Sequence, residues 1–113
     1  MDAFAAGQVV IIPFPFSDLS AQKFRPAVVL AAAGRGDWVL CQITSNPYAD
    51  AGAVEINQHD FCEGSLQRIS YARPNKLFTA NDSLFASQVG TLTASRFSDL
   101  IEAVIVLLRG GGV

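Results

Sequence analysis

From Phe97 onward the apolar residues change period, and that change constrains the fold more tightly than any other feature of the chain. Phe97, Leu100, Ile101, Val104, Ile105 and Leu108 recur at offsets of 0, 3, 4, 7, 8 and 11, one face of an α-helix. Thr93 or Ser95 can cap the start of this helix, and Gly110 can end it in the left-handed conformation that glycine adopts without cost. Upstream the pattern is that of strands. Val9 to Phe16 is apolar, β-branched and aromatic, with Pro13 and Pro15 implying an edge or bulged exit. Ser17 to Phe24 is polar and turn-like. Ala27 to Ala32 is a continuous apolar run, the pattern of a strand buried on both faces. Gly34-Arg35-Gly36-Asp37 signals a hairpin, and Trp38 to Thr44 is the returning strand. Val54 to Asn57, Ser70 to Arg73, Lys76 to Thr79 and Val89 to Leu92 read as shorter strands, each bounded by Gly, Pro, Asn or Asp. Several strands followed by one helix predict a mainly β fold, a small and strongly curved antiparallel barrel with its helix packed on the sheet, and not alternating βαβ units.

No linker, repeat or low-complexity tract divides the chain, so residues 1–113 are expected to form one domain. Half of the residues are apolar and 16% are charged, which suits a packed core and argues against disorder. The longest strongly apolar run of the tail, Ala103 to Leu108, is too short to span a bilayer, and M-D-A-F-A-A-G lacks the basic start of a signal peptide. A cytoplasmic protein with no membrane partner is therefore expected.

The net charge of −2 disfavours generic nucleic-acid binding. The cations are nevertheless clustered. Lys23, Arg25, Arg68, Arg73 and Lys76 fall in two short segments, and if folding joins them an acidic protein presents a local basic groove.

The chemistry-bearing residues are few. Glycine-rich phosphate loops, H-E-x-x-H, G-x-S-x-G and paired cysteine signatures are all missing. Cys41 lies in an apolar run and reads as a small core residue; with Cys62 it makes neither a disulfide framework nor a metal knuckle. The single histidine, His59, sits in the polar stretch N-Q-H-D-F and reads as a surface residue. One histidine cannot form the two-histidine acid/base pair that cleaves RNA in some nucleases. No cofactor and no metal site are expected.

Three ordered segments carry a resemblance. Residues 10–30, V-I-I-P-F-P-F-S-D-L-S-A-Q-K-F-R-P-A-V-V-L, combine an apolar strand ending in P-F-P-F, a polar loop, and R-P leading a second strand. Residues 40–46 read L-C-Q-I-T-S-N, and residues 70–79 read S-Y-A-R-P-N-K-L-F-T. With the C-terminal amphipathic helix, this order resembles the MazF/PemK-like toxins over nearly the whole chain. It departs from them at Gln8, where Asp is expected, which touches no expected catalytic position.

The resemblance implies a homodimer of SH3-like barrels, the toxin of a type II toxin–antitoxin pair, that cleaves single-stranded RNA without metal. It implies a cognate antitoxin as partner. The R-P arginine and the I-T threonine are the family's catalytic pair, here Arg25 and Thr44, and Lys23, Ser45, Asn46, Arg73 and Lys76 are the expected RNA contacts. The loop Ser17 to Phe24, the turn Ser45-Asn46 and the segment Arg73 to Lys76 are expected to border one positive groove. Two other readings stand beside this one: a non-catalytic toxin of the same fold that inhibits a protein target such as a topoisomerase, and an SH3-like module that binds RNA or protein.

Overall fold

The structure, a computed structural model, describes residues 4–15, 22–47 and 50–110, with backbone only for Pro15 and Gln22. Seven strands form one antiparallel sheet: β1 (Gln8–Pro15), β2 (Gln22–Gly34), β3 (Asp37–Thr44), β4 (Val54–Ile56), β5 (Phe61–Gly64), β6 (Ser70–Asn81) and β7 (Ser87–Leu92). Their order across the sheet is β4-β6-β3-β2-β1-β7-β5, and one helix, α1 (Ala94–Leu108), follows. The sheet curls into a half-barrel. Phe14 of β1 and Phe78 of β6, three strands apart in the sheet, meet edge to face with ring centroids 5.0 Å apart.

The unbroken apolar runs are explained by two cores on opposite faces of the central strands. Val9, Val28, Leu30, Cys41 and Ile43 face the helix with Leu100 and Val104, while Val10, Ile12, Ala27, Val29, Trp38 and Leu40 form a second cluster. Adjacent residues point to opposite faces of a strand, so a strand covered on both sides must be apolar at every position. Ala27 to Leu30 obeys this; Ala31 and Ala32, expected to be buried with them, are exposed.

Prolines mark where pairing stops. β7 pairs with β1 only as far as Ile11, so Pro13 and Pro15 sit where β1 is paired on one side, against β2. The hairpin Gly34 to Asp37 is present, with Arg35 and Gly36 both at positive φ (56° and 82°), as a two-residue primed turn requires. The strand start that lacks the expected Asp is held by Gln8, whose Oε1 accepts the Ala5 N–H at 2.9 Å. Thr93 caps α1, its hydroxyl accepting the Arg96 N–H, and Gly110 closes it at φ 77°. Burying Leu100 and Val104 contributes about 1.5–3 kcal/mol each, which is what holds α1 on β4 and β6.

Three expectations are corrected. Residues 70–79 form one strand and not two: between Cys41 and Ile43 the β3–β6 register jumps from Leu77 to Ala72, so Arg73 to Lys76 make a bulge centred on Pro74, which has no N–H to pair. Lys23 and Phe24 belong to β2, opposite Phe14 and Pro13, instead of to the preceding turn, whose residues 17–21 lie outside the described ones. β5 was not foreseen, because F-C-E-G offers no alternation; Gly64 and Gly90 let β5 and β7 approach where a Cβ on either would strike backbone. Among the described residues no helix is long and apolar enough to cross a membrane.

Candidate functional site

β2 and β3 bring the two principal candidates together. The β2–β3 ladder reaches Ala27 opposite Gln42, two residues short of Arg25 on β2 and of Thr44 on β3. On its other side Arg25 pairs with Ile12 of β1. Both residues line a cleft of about 250 Å³ at the end of the sheet. Ser45, Phe24, Arg68 and Ser70 line it as well, with an apolar floor that includes Ile43 and Leu66 of the helix-side core. Among the described lining residues there is no carboxylate and there are two guanidinium groups. The described lining of the cleft is thus cationic, although the protein as a whole is acidic.

The Thr44 hydroxyl is buried and already engaged. It donates to the Asn46 carbonyl at 3.0 Å and accepts the Asn46 N–H at 3.2 Å, folding Ser45 and Asn46 back over the strand end. A hydroxyl has one proton, so to donate to a bound anion Thr44 must release the Asn46 carbonyl while keeping the Asn46 N–H. Asn46 is exposed and water can replace the lost bond.

Arg68 reaches the cleft through a turn. Gln67 adopts a left-handed φ of 67° with its N–H on Ser65 Oγ at 2.9 Å, and Ser70 Oγ donates to the Arg68 carbonyl at 3.3 Å. Sequence reasoning counted Arg68 among the clustered cations but did not name it as a site residue; the signal that could have found it is its place two residues before the S-Y-A-R-P block. Phe24, 62% exposed, offers an open ring at the rim of the cleft.

The remaining candidates are dispersed. Lys23 is exposed on β2, opposite Phe14, and Asn46 lies in the turn just described. Lys76 lines a different groove, about 410 Å³, formed with Ile12, Phe14, Gln42, Phe78 and Leu84. Arg73 lines neither groove; its Nε donates to Asp50 Oδ2 at 3.1 Å. Among the described residues, therefore, neither Arg73 nor Lys76 lines the cleft of Arg25 and Thr44. Of the expected groove's first loop, residues 17–21 lie outside the described ones, as do residues 48–49 of the loop after Asn46.

Other reactive groups are placed away from the cleft. His59 is exposed in a single 3-10 turn, Gln58–Asp60, capped by Asn57. Cys41 is fully buried, its thiol donating to the Arg73 carbonyl at 3.0 Å, and burial pushes its pKa up to about 12, so it is no nucleophile at neutral pH. Cys62 is exposed. Among the described residues no three His, Cys, Asp or Glu side chains cluster so as to hold a metal ion.

Comparison with solved structures shows the same fold. A MazE-MazF complex from Deinococcus radiodurans (Form-II) superposes with a TM-score of 0.74 at 20% identity, over 96% of this chain and 97% of that one. The Form-III complex from the same organism gives 0.72 at 21% identity, over 91% and 94%. An endoribonuclease in complex with its cognate antitoxin from Mycobacterial species gives 0.67 at 17% identity, over 97% and 96%. No sequence match is found among curated proteins. The family profile described as PemK-like, MazF-like toxin of type II toxin-antitoxin system matches residues 5–108. With nearly the whole chain covered by that profile and the curled sheet with its C-terminal helix in place, the chain belongs to the PemK-like, MazF-like toxins of type II toxin–antitoxin systems.

Proposed function

We propose that this toxin is a metal-independent endoribonuclease of single-stranded RNA, with Arg25 and Thr44 as its catalytic residues. The observation that carries the reading is that these two side chains, one from β2 and one from the end of β3, line a single cleft together with Arg68. RNA brings its own nucleophile. The 2′-oxygen attacks the adjacent phosphorus in line, the 2′-O–P bond forms as the P–O5′ bond breaks, the 2′-hydroxyl proton passes to water, and the leaving 5′-oxygen takes a proton from water. The chain has to align the attack and stabilise the crowded, doubly charged phosphate.

Arginine's planar fork suits two phosphate oxygens at once. A guanidinium has no acceptor lone pair to take the 2′-hydroxyl proton, so Arg25 stabilises charge and donates hydrogen bonds toward the leaving oxygen. Thr44 supplies one further donor when its proton turns from the Asn46 carbonyl to the phosphate. Arg68, on the opposite wall, holds a flanking phosphate, and Phe24 offers a ring on which a base can stack. Ser45 lines the cleft, and Lys23 and Asn46, each next in sequence to a lining residue, are assigned to the RNA strand on either side.

The partners that fit are a second copy of the chain, as in the family's dimers, and a cognate antitoxin such as the mycobacterial endoribonuclease binds. The groove around Phe14, Phe78 and Leu84, with Lys76 at its side, is an apolar surface that an acidic and apolar antitoxin segment would cover. Such a toxin acts in the cytoplasm, where its RNA is. Neither a protein-directed toxin nor a passive binding module requires an arginine and a threonine hydroxyl in one cationic cleft.

The test is incubation with single-stranded RNA in EDTA. Products ending in a 2′,3′-cyclic phosphate or 3′-phosphate with a free 5′-hydroxyl are expected, and a 2′-deoxy sugar at the cut site should block cleavage. Activity abolished by EDTA and restored by magnesium would overturn the mechanism.

A further inference from the structure

We propose that Arg73 is a positioning residue, which acts through Asp50 on the turn following Thr44 and does not itself grip RNA. The inference rests on the ribonuclease reading above and changes the role of one residue expected to contact RNA.

Arg73 Nε donates to Asp50 Oδ2 at 3.1 Å, and the two side chains are only 16% and 13% exposed. Asp50 is in turn bound on every side. Its Oδ1 accepts the Gly52 N–H at 3.0 Å, its own N–H donates to the Pro47 carbonyl at 2.9 Å, and its carbonyl accepts the Ala53 N–H at 3.1 Å. The near end of the same segment is pinned by Thr44, whose hydroxyl holds both the N–H and the carbonyl of Asn46. Of the segment after Thr44, Asn46 is thus held by the candidate catalytic threonine and Asp50 by Arg73, and the Asp50 N–H on the Pro47 carbonyl ties the two described parts together.

Arg73 is itself fixed to the strand that carries Thr44. It lies in the β6 bulge facing β3, and its carbonyl takes the thiol of Cys41, three residues before Thr44. A chain of hydrogen bonds therefore runs from Cys41 of β3 through the bulge to Asp50 and on to the Pro47 carbonyl, next to Asn46, and through it Arg73 would position Ser45 and Asn46. An RNA phosphate, by contrast, would have to draw Arg73 away from a carboxylate that is already largely out of water. A largely buried pair keeps its geometry where an exposed one does not.

The experiment compares wild type, Asp50→Asn, Arg73→Gln and the double variant, each checked for folding by circular dichroism. Three quantities are read: kcat and KM for cleavage, the salt dependence of binding to an RNA with a 2′-deoxy cut site, and hydrogen exchange of residues 45–53. Both single variants should lose roughly tenfold in kcat, the double variant should lose no more than either, exchange in residues 45–53 should rise, and the salt slope should stay at the wild-type value. A slope reduced by about 0.7 in Arg73→Gln, the signature of one lost phosphate contact, or an Asp50→Asn variant that cleaves as wild type, would overturn the inference. If Arg73→Gln does not fold, Asp50→Asn decides alone. A wild type that leaves RNA intact refutes the ribonuclease reading and this inference with it, whereas a cleaving wild type with an indifferent Asp50→Asn refutes the inference only.

Discussion

Replacing Thr44 by valine and by serine separates what its hydroxyl does for the fold from what it does for RNA. Valine keeps the shape and removes both hydrogen bonds to Asn46, which are 3.0 and 3.2 Å long. Each is worth about 0.5–1.5 kcal/mol, and because Asn46 is exposed, water takes over part of the loss, leaving a cost of about 1–2 kcal/mol. Serine keeps the hydroxyl but deletes a methyl group from a side chain that is 5% exposed, a cost near 0.8 kcal/mol. With 113 residues and about 2.1 cal/mol/K per residue, the unfolding entropy is about 0.24 kcal/mol/K, so 1 kcal/mol moves the midpoint by about 4 °C. Thermal unfolding at fixed protein concentration should therefore place Thr44→Val about 4–8 °C and Thr44→Ser about 3 °C below wild type. In cleavage the two should diverge far more. Serine can still turn its proton to the phosphate and should stay within a few-fold of wild type, while valine should lose on the order of a hundredfold in kcat, as when one pre-organised donor is removed. Equal cleavage by both variants, in samples shown to be folded, would refute the catalytic role of this hydroxyl.

Four other outcomes are expected. Arg25→Ala should reduce kcat/KM by about a hundredfold or more, with Arg25→Lys recovering only part, since an ammonium cannot form two parallel bonds to a phosphate; steady-state kinetics checks both. Arg68→Gln should weaken binding of a 2′-deoxy substrate and lower the salt slope by about 0.7, measured by titration at several salt concentrations. Leu100→Ala, at a fully buried position of α1, should cost about 2–5 kcal/mol in urea unfolding. For Cys41, thiol titration should find one fast-reacting cysteine in the native protein, the exposed Cys62, and two after unfolding. Its pKa is raised from 9.0 in the unfolded chain to about 12, so its contribution to stability is complete below pH 9 and is lost as pH rises toward 12, by up to about 1.4 kcal/mol per unit. Cys41→Ala should remove that part of the alkaline slope.

Local patterning was enough to determine most of the elements. The change of period at Phe97 set the helix and its stripe, because side chains three and four apart must share a face whatever they pack against. The doubled apolar runs announced strands covered on both sides, and Pro13 and Pro15 announced the half-paired end of β1. The hairpin at Gly34 to Asp37 followed from turn chemistry alone. β5 was invisible, because it exists through the close approach of Gly64 to β7, a contact between residues distant in sequence. The single β6 looked like two strands, because a bulge costs its own residues their regular pattern while the ladder continues on either side.

The candidate site divides in the same way. The residue types in R-P and I-T-S-N suggested which side chains to examine, but 19 positions separate Arg25 from Thr44, and only the antiparallel pairing of β2 with β3 brings them to one cleft. Whether each cation serves RNA or structure was likewise undetermined by composition, since a guanidinium's role depends on the nearest anion. Arg68 has none among the described residues lining its cleft, Lys76 lines a mostly apolar groove, and Arg73 meets Asp50. Charge count is a property of the sequence. Charge placement comes from strand pairing and the loops it holds, and Coulomb energy falls with distance steeply enough that placement decides which anion each cation binds.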